Sequence, residues 1–166
     1  METKPYQVGI LTLSDKGACG EREDESGPLL KEMVSGIGKV LRYQIIADDQ
    51  DKIMMMLSSW VDDLGLDLIL TTGGTGLSPR DVTPQATLAV IDYQVPGMAE
   101  AMRAASMKIT DRAMLSRAIV GVRHQTLIVN LPGSPRSVKE NFEVLLPVLQ
   151  HALDKLTGDT TDCALS

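Results

Sequence analysis

One stretch of the chain, residues 66–91, restricts the possible folds more than any other. Residues 66–70 are mostly apolar and of strand length, and residues 82–91 have the composition of a helix. The turn between them has the sequence TTGGTG at 71–76. A strand that is apolar nearly throughout is typical of parallel sheets that are covered by helices on both faces. A strand, a glycine-rich turn and a helix in this order therefore predict a βα unit of an α/β fold.

The rest of the chain continues this alternation. Further strands are predicted at 6–13, 40–47, 118–123 and 126–130, and further helices after Ser26, at 52–64, at 98–108 and up to residue 156. We expect Ser26 to cap its helix, Pro96-Gly97 to form a turn, and His124-Gln125 to close a hairpin. The predicted fold is a three-layer α/β sandwich, in which a mostly parallel sheet with an antiparallel edge hairpin carries helices on both faces.

The length of 166 residues suits one domain with a substantial core. We predict a single domain over 1–156 and a flexible C-terminal tail over 157–166. Because only 3% of the residues are aromatic, aliphatic side chains and the nine methionines must fill the core. Trp60 falls on the apolar stripe of the helix predicted at 52–64, which favours a core position over an exposed stacking platform.

Charge and composition argue against several classes of protein. The net charge of −6 does not suit a nucleic-acid binder, whose affinity depends on neutralising phosphates. No apolar stretch reaches the length of a membrane span, and the N-terminus lacks the apolar core of a signal peptide. The two cysteines, Cys19 and Cys163, have no metal-ligand spacing and are too few for a disulfide framework. We therefore expect a reduced, cytoplasmic protein that binds neither nucleic acid nor membrane.

The polar segments 14–22, 48–51, 72–81 and 132–137 are expected to gather at one edge of the sheet, because ligands of such sheets bind outside the carboxyl ends of the strands. Glycine lets a ligand approach the backbone, threonine adds hydroxyl donors, and a helix start offers free N–H groups. This combination suits a phosphate or another anion. Small residues are also ordinary at a βα turn, but packing does not explain the charge pair Arg80-Asp81 beside it, which favours a ligand site. No Rossmann or Walker-type glycine pattern is present, so a nucleotide would need a different cradle.

Five motifs in this order resemble those of the molybdopterin-binding Mog/MoaB family, which includes the G domain of gephyrin. They are Ser14-Asp15, TTGGTG at 71–76 with RDVTP at 80–84, Pro96-Gly97, LSR at 115–117, and NLPGSP at 130–135. The resemblance covers nearly the whole chain. The family usually has Arg at the position of Lys16 and often Lys at that of Arg136. Both changes keep the charge, although the two side chains differ in bidentate binding.

The resemblance implies molybdopterin adenylyltransferase activity, in which ATP and molybdopterin give adenylylated molybdopterin and pyrophosphate with Mg²⁺ required. The nucleophile would be the terminal phosphate of molybdopterin, which is mostly ionised at neutral pH and needs no strong general base. Neither His124 nor His151 is placed to act as one. By their positions in the motifs, Asp48 and Asp81 match the family's catalytic acidic residues. Carboxylates are also the hard oxygen ligands that Mg²⁺ prefers, whereas the neighbouring Asp49 has a simpler interpretation as a solvated residue.

The other candidates would hold the substrates. The glycine-rich turn would bind the phosphates of the nucleotide or of the pterin, and the segments at 14–15 and 132–134 would form the walls. The substrate- and nucleotide-binding candidates are Ser14, Asp15, Thr72, Gly73, Gly74, Thr75, Gly76, Arg80, Pro132, Gly133 and Ser134. Arg103, Arg117, Arg136 and Lys139 either add positive charge or are ordinary surface residues. Cys19 lies in a loop at the expected pocket, but phosphate attack on ATP requires no thiol.

Two other functions are compatible with the motifs. The first is a non-catalytic molybdopterin-binding or scaffolding domain, a use to which gephyrin puts this fold at synapses. A scaffold would not need Asp48, Arg80 and Asp81 together. The second is a domain of a molybdenum insertase, although such proteins carry further domains. The resemblance also implies a homotrimer and hand-over of the product to a separate molybdenum insertase.

Overall fold

The computed structural model of the protein describes residues 5–160. Its strands are β1 (Tyr6–Leu13), β2 (Gly38–Ile46), β3 (Leu68–Thr72), β4 (Tyr93–Gln94), β5 (Val120–Arg123) and β6 (Thr126–Leu131). Its α-helices are α1 (Asp15–Ala18), α2 (Ser26–Met33), α3 (Gln50–Asp62), α4 (Thr83–Val90), α5 (Pro96–Met107) and α6 (Pro135–Leu156). Most of the tail that we predicted over 157–166 lies outside the described residues.

All six strands belong to one sheet in the order β2-β1-β3-β6-β5-β4. The pairs β1–β2, β1–β3 and β3–β6 are parallel, whereas β5 pairs antiparallel with both β6 and β4. Every residue of β3 and β6 is buried, which explains why both sequences are apolar with little alternation. The sheet is therefore mostly parallel with an antiparallel edge, as predicted.

Helices cover both faces of the sheet and divide the core into two clusters. On one face α2, α5 and α6 pack around Phe142, which is fully buried. On the other face α3 and α4 pack around Trp60, which is 3% exposed. This arrangement confirms the three-layer α/β sandwich and the core position of Trp60. No helix in the described part of the chain is long and apolar enough to cross a membrane.

Two helix starts differ from the sequence-based expectations. Ser26 lies inside the first turn of α2, because the carboxylate of Asp24 accepts the N–H groups of Ser26 at 3.1 Å and Gly27 at 3.2 Å. The Ser26 hydroxyl instead donates to the carbonyl of Gly133 at 2.9 Å. Pro96 begins α5 rather than a turn, because its fixed φ and missing N–H suit the first helical position.

The hairpin between β5 and β6 closes at His124-Gln125, as predicted, and His124 has a φ of +54°. The two-residue strand β4 was not predicted. It pairs with β5 through Tyr93 and Gln94, and so it forms the edge of the sheet beyond the hairpin. A strand of two residues carries no alternation that a sequence pattern can detect.

The side chain of Asn130 joins the carboxyl ends of β3 and β6 to α4. Asn130 is fully buried, and its amide nitrogen donates to the hydroxyls of Thr71 at 3.0 Å and Thr87 at 2.9 Å. Its side-chain oxygen accepts the N–H of Ile119 at 3.2 Å. The amide thus satisfies two buried hydroxyls and one partly buried N–H next to the edge where the glycine-rich turn begins.

We predict that Asn130→Ala lowers the free energy of unfolding by at least about 3 kcal/mol, because it leaves several buried polar groups without partners. Urea denaturation followed by circular dichroism measures the loss. Gln94→Ala, on the exposed edge strand, is the control and should stay within about 0.5 kcal/mol of wild type. A loss below about 1 kcal/mol for Asn130→Ala would mean that the threonine hydroxyls find new partners.

Candidate active site

The glycine-rich turn after β3 adopts a backbone conformation that requires glycine at two positions. Gly73 and Gly74 have φ values of +98° and +67°. A Cβ on Gly73 would lie 2.4 Å from the carbonyl oxygen of Leu13, and one on Gly74 would lie 2.3 Å from the Thr83 hydroxyl. The Thr83 hydroxyl donates to the Gly73 carbonyl at 2.9 Å, which holds the turn onto the start of α4. The close approach of these backbones therefore excludes any side chain here.

All four predicted segments line one cavity of about 540 Å³ at the carboxyl ends of β1, β2, β3 and β6. The lining includes Thr12, Ser14, Arg22, Glu23, Asp24, Glu25, Ser26, Asp48, Thr72, Gly73, Gly74, Asp81, Gly133 and Ser134. The edge also contains the switch point of the sheet, because β1 connects to β2 on one side and β3 pairs with β1 on the other. Such a position is typical of ligand sites in open α/β sheets.

The carboxylates of Asp48 and Asp81 lie beside different glycines of the turn, and both residues line the larger cavity. Asp48 Oδ1 lies 3.1 Å from the place of a Cβ on Gly74, and Asp81 Oδ2 lies 2.8 Å from the place of one on Gly76. The Asp81 carboxylate also accepts the N–H of Ser78 at 3.0 Å, which folds the loop back on itself. Both acidic residues that we selected from the motifs therefore face one cavity.

Asp15 connects Asp48 to Arg80. The N–H of Asp15 donates to Asp48 Oδ2 at 3.0 Å, and the N–H of Asp48 donates to Asp15 Oδ1 at 3.1 Å. Arg80 then binds the Asp15 carboxylate with two donors, at 2.9 Å and 2.7 Å. The Arg80 guanidinium lowers the pKa of Asp15 below its usual range. Asp15 and Arg80 line neither of the cavities beside the turn, so their observed role is to join three segments.

The environment of Asp48 disfavours its charge. Burial raises the pKa of Asp48 above the ordinary carboxyl range, and the charges of Asp15 and Asp81 act in the same direction. The N–H of Asp15 and the charge of Arg80 oppose this shift without cancelling it. Clustered acidic groups at a cleft are characteristic of sites that bind cations or perform chemistry.

The donor set fits a magnesium ion that enters with a phosphate ligand. Among residues 5–160, no group of three or more His, Cys, Asp or Glu side chains is arranged to hold a metal ion. Mg²⁺ usually keeps several waters and binds through one or two carboxylates together with substrate phosphates. Asp48 and Asp81 supply two such carboxylates at one cavity, so the substrate would complete the coordination shell.

A second cavity of about 240 Å³ lies on the other side of the turn. Thr75, Gly76 and Pro132, which we grouped with the nucleotide site, line this cavity instead of the first. Its other lining residues include Arg103, Ser106, Thr110, Arg112, Ser116, Ser137, Glu140 and Asn141. The glycine-rich turn and the turn at 132–134 thus form a wall between two compartments.

The threonine hydroxyls are less available than the sequence suggested. Thr72 lines the larger cavity, but its hydroxyl donates to the carbonyl of Pro132 at 2.7 Å. Thr71 is buried and accepts the amide of Asn130. These bonds tie the two turns together, so the expectation that Thr72 offers its hydroxyl to a ligand is not supported.

Asp24 is a cavity residue that the sequence analysis missed. Its carboxylate accepts hydrogen bonds from the Thr12 hydroxyl at 2.6 Å and the Tyr43 hydroxyl at 2.5 Å, in addition to two N–H groups at the start of α2. Burial and the adjacent Asp24 carboxylate raise the pKa of Tyr43. The available signal was an acidic residue two positions before Ser26-Gly27-Pro28, a pattern of helix starts. Its contacts with β1 and β2 are distant in sequence and leave no local pattern.

The four candidate cations occupy different environments. Arg103 borders the smaller cavity and donates to the carbonyl of Ala118 at 2.8 Å. Arg136 forms an exposed pair with Glu140 at 2.8 Å, and Lys139 is exposed on α6. Arg117 borders neither cavity beside the turn and donates to backbone carbonyls of the turn and the loop that follows it. None of these four side chains lines the larger cavity.

The other reactive side chains lie away from the larger cavity. His124 is in the β5–β6 turn at the opposite end of the sheet, and His151 is near the end of α6. Cys19 is a free, exposed thiol that lines neither cavity. This agrees with a chemistry that uses neither a histidine base nor a thiolate.

Comparison with known proteins gives a consistent result. The model of a family described as a probable molybdopterin binding domain matches residues 9–151. The chain is 39% identical over 155 residues to the molybdopterin adenylyltransferase of Helicobacter pylori (strain J99), a match that spans 92% of this chain and 88% of that protein. It is 42% identical over 157 residues to gephyrin of Dictyostelium discoideum, spanning 88% of this chain and 22% of gephyrin.

A solved structure extends the likeness to the fold. The molybdopterin biosynthesis enzyme MoaB of Thermus thermophilus matches with a TM-score of 0.88 and 50% sequence identity. The match covers 93% of this chain and 98% of that one. The similarity therefore includes both cores and the edge of the sheet that carries the cavity.

The raised pKa of Asp48 predicts a stability cost at neutral pH. Because the folded state binds this proton more tightly than the unfolded state, the ionised carboxylate destabilises the fold above its folded pKa. Asp48→Asn removes the charge and keeps an oxygen that can accept the N–H of Asp15. In the presence of EDTA, we expect Asp48→Asn to melt at a higher temperature than wild type at pH 7. The difference should shrink as the pH falls towards the unfolded carboxyl value of about 4.

Scanning calorimetry across this pH range measures the effect. Glu143→Gln, which removes an exposed carboxylate from α6, is the control and should show no such pH-dependent gain. If Asp48→Asn melted at or below the wild-type temperature at pH 7, the Asp48 charge would stabilise the fold and the predicted sign would be wrong.

Proposed function

Because this chain belongs to the family of probable molybdopterin binding domains, we propose that it is a molybdopterin adenylyltransferase of molybdenum cofactor biosynthesis. The observation that carries this proposal is the cavity in which Asp48 and Asp81 face a glycine turn without side chains. Its co-substrate is ATP, and its products are adenylylated molybdopterin and pyrophosphate.

In the proposed reaction, an oxygen of the terminal phosphate of molybdopterin attacks the α-phosphorus of ATP. One P–O bond forms, the bond from the α-phosphorus to the oxygen that bridges to the β-phosphorus breaks, and pyrophosphate leaves with that electron pair. The attacking phosphate is already ionised at neutral pH, so no residue has to remove a proton. Catalysis then consists of aligning two anions and stabilising their charge.

The chain's own contribution is a phosphate cradle. Gly73 and Gly74 let the phosphates approach the backbone closely. Gly133, Ser134 and Pro135 line the same cavity at the N-terminus of the long helix α6. The partial positive charge and free N–H groups of a helix start favour a phosphate at this place. The triphosphate of ATP is therefore assigned to the larger cavity.

Asp48 and Asp81 would hold Mg²⁺ together with the triphosphate. When bound, Mg²⁺ supplies positive charge that offsets the charge developing on pyrophosphate. The reciprocal hydrogen bonds between Asp15 and Asp48 keep the Asp48 carboxylate in place, and Arg80 compensates the charge of Asp15. Because these groups are set before the substrate arrives, the site needs little reorganisation during the reaction.

The smaller cavity is the proposed place of the pterin. The proposed reaction brings together two large anionic substrates, and the glycine turn borders two cavities, one for each of them. The hydroxyl of Ser106 and the side-chain oxygens of Glu140 and Asn141 offer polar atoms that suit the polar edge of a pterin ring, whereas the Asn141 amide nitrogen already donates to Ser106 and Ser137. Arg103 and Arg112 at the same cavity suit an anionic substrate.

We further propose a homotrimer in the cytoplasm. The trimer rests on the family resemblance, and four exposed apolar side chains between residues 107 and 115 support an assembly. Met107 is 39% exposed, Ile109 51%, Met114 62% and Leu115 51%. The exposed free thiol of Cys19 is compatible with a reducing compartment. A molybdenum insertase is the proposed recipient of the adenylylated product.

Pyrophosphate release separates an enzyme from a scaffold. We expect the purified protein to release pyrophosphate from ATP only when molybdopterin and Mg²⁺ are both present, and to form an equal amount of AMP-linked pterin. Coupled pyrophosphate detection and mass spectrometry of the pterin measure both products. Omitting molybdopterin controls for simple ATP hydrolysis. Tight pterin binding without either product would favour the scaffolding alternative.

The roles of the carboxylates can be separated from pterin binding. Asp81→Asn keeps the size of the side chain and an acceptor for the N–H of Ser78 but removes the charge that would hold Mg²⁺. Losing one preorganised electrostatic group typically lowers kcat about 10²–10³-fold, and we expect a loss of this size. Molybdopterin binding, followed by pterin fluorescence, should change far less, because an anionic ligand gains nothing from a carboxylate.

Asp49→Asn is the matched control for this experiment. Asp49 caps α3 by accepting the N–H of Lys52 at 3.0 Å, and Asn caps helices equally well. This variant should keep both activity and pterin binding. If Asp81→Asn lost pterin binding as severely as turnover while staying folded, Asp81 would be a substrate ligand instead.

A further inference from the structure

We infer that Arg117 is a positioning residue that sets the place of Asp81, an inference that rests on the proposed adenylyl transfer. Its guanidinium donates to the carbonyls of Gly76 at 2.8 Å and Asp81 at 2.7 Å. Its remaining nitrogen donates to the side chain of Gln85 at 3.1 Å, and its N–H donates to the carbonyl of Thr75 at 2.9 Å. One residue thus joins both ends of the loop at 75–81 to the first turns of α4.

The geometry argues against a direct role of Arg117 in binding phosphates. Its side chain lines neither cavity beside the turn, and all three guanidinium nitrogens already donate hydrogen bonds within the protein. Its acceptors Gly76 and Asp81 belong to the smaller and the larger cavity respectively. Arg117 therefore supports the wall between the two cavities without lining either of them.

The middle of the loop is tied to another segment through the exposed Arg80–Asp15 ion pair, so the loop depends on further bonds at its ends. Residues 77–80 are exposed, and Leu77 keeps 63% of its surface. The bonds inside the loop, from Ser78 to the Asp81 carboxylate and from the Asp81 N–H to the Ser78 carbonyl, close it on itself without fixing its place. Segments with little buried apolar surface open easily. The two carbonyl bonds of Arg117 hold the loop at its ends.

The planar guanidinium explains why this position needs arginine. Two carbonyls and one amide oxygen are bound by three nitrogens of one rigid fork. Lysine has a single ammonium on a flexible stem and cannot reproduce three donors in a plane. Arg117→Lys therefore keeps the charge but loses part of the geometry, which separates positioning from electrostatics.

Arg123 offers a matched control at the other end of the sheet. Its guanidinium likewise donates to a carbonyl, that of Val90 at 2.8 Å, and forms two bonds to Asp62 at 2.9 Å and 2.6 Å. Removing it disturbs a similar network far from both cavities. Arg123→Met thus reports the cost of losing an internal arginine without disturbing the loop.

The test compares Arg117→Met, Arg117→Lys and Arg123→Met with wild type. Hydrogen exchange of peptides covering 75–81, measured in the free protein, reports the loop independently of activity. We expect faster exchange there in Arg117→Met, a smaller increase in Arg117→Lys, and none in Arg123→Met. Because a misplacement of about 1 Å can cost about 10²-fold, kcat should fall about 100-fold in Arg117→Met. Arg117→Lys should recover part of that loss, the KM for molybdopterin should change less than about threefold, and the half-saturating Mg²⁺ concentration should rise.

Each alternative result contradicts the inference in a recognisable way. If Arg117→Met lost turnover while hydrogen exchange of the loop stayed unchanged, Arg117 would be a ligand contact. If its turnover stayed within about threefold of wild type, the loop would hold its place without Arg117. An equal loss of turnover in Arg123→Met would mean that the loss in Arg117→Met comes from lower stability of the whole fold. If Arg117→Met does not fold, Arg117→Lys decides by the same two measurements. If wild type transfers no AMP, the proposed function fails. Hydrogen exchange of the loop still tests whether Arg117 positions it.

Discussion

The parallel pairing of β1, β3 and β6 is the constraint on which the rest of this structure depends. Leu68, in the middle strand, pairs with Val8 on one side and Leu127 on the other. Because both faces of β3 are covered by helices, its register cannot shift without moving buried side chains on both sides. The three strands therefore end at fixed heights, and the turns that follow them meet at one edge. The cavity is a consequence of this register.

Close contact between backbone segments holds the site together. Gly73 lies against the carbonyl of Leu13, and the Thr72 hydroxyl binds the carbonyl of Pro132. These contacts connect the turns after β1, β3 and β6, which together form the base of the larger cavity. The connected turns hold Asp48 in place although burial and two neighbouring carboxylates raise its pKa. Such a site spends part of the stability of the fold on preorganised charge, a frequent compromise in active sites.

The sequence predicted the parts of this site that depend on local chemistry. A strand, a glycine turn and a helix must form a βα unit, so the edge and the two acidic residues Asp48 and Asp81 were accessible from the pattern and the family motifs. The roles of Asp24 and Arg117 were not, because their side chains bind Thr12, Tyr43, Gly76 and Asp81, which lie 12 to 41 residues away along the chain. The start of α2 was placed wrongly because Asp24, and not Ser26, accepts the first N–H groups of the helix, while the Ser26 hydroxyl donates to the distant Gly133 carbonyl. Periodicity and capping rules describe neighbours in sequence, and these bonds join neighbours in space.

The charge of the larger cavity restricts which form of a nucleotide can bind there. Its lining contains one cation and five acidic residues: Arg22, Glu23, Asp24, Glu25, Asp48 and Asp81. The candidate cations Arg103, Arg117, Arg136 and Lys139 do not line it, and Arg80 is paired with Asp15. A triphosphate alone would meet net repulsion here that helix starts and backbone N–H groups offset only in part. For the proposed ATP substrate, the cavity therefore favours a nucleotide that carries its own divalent cation over a free nucleotide.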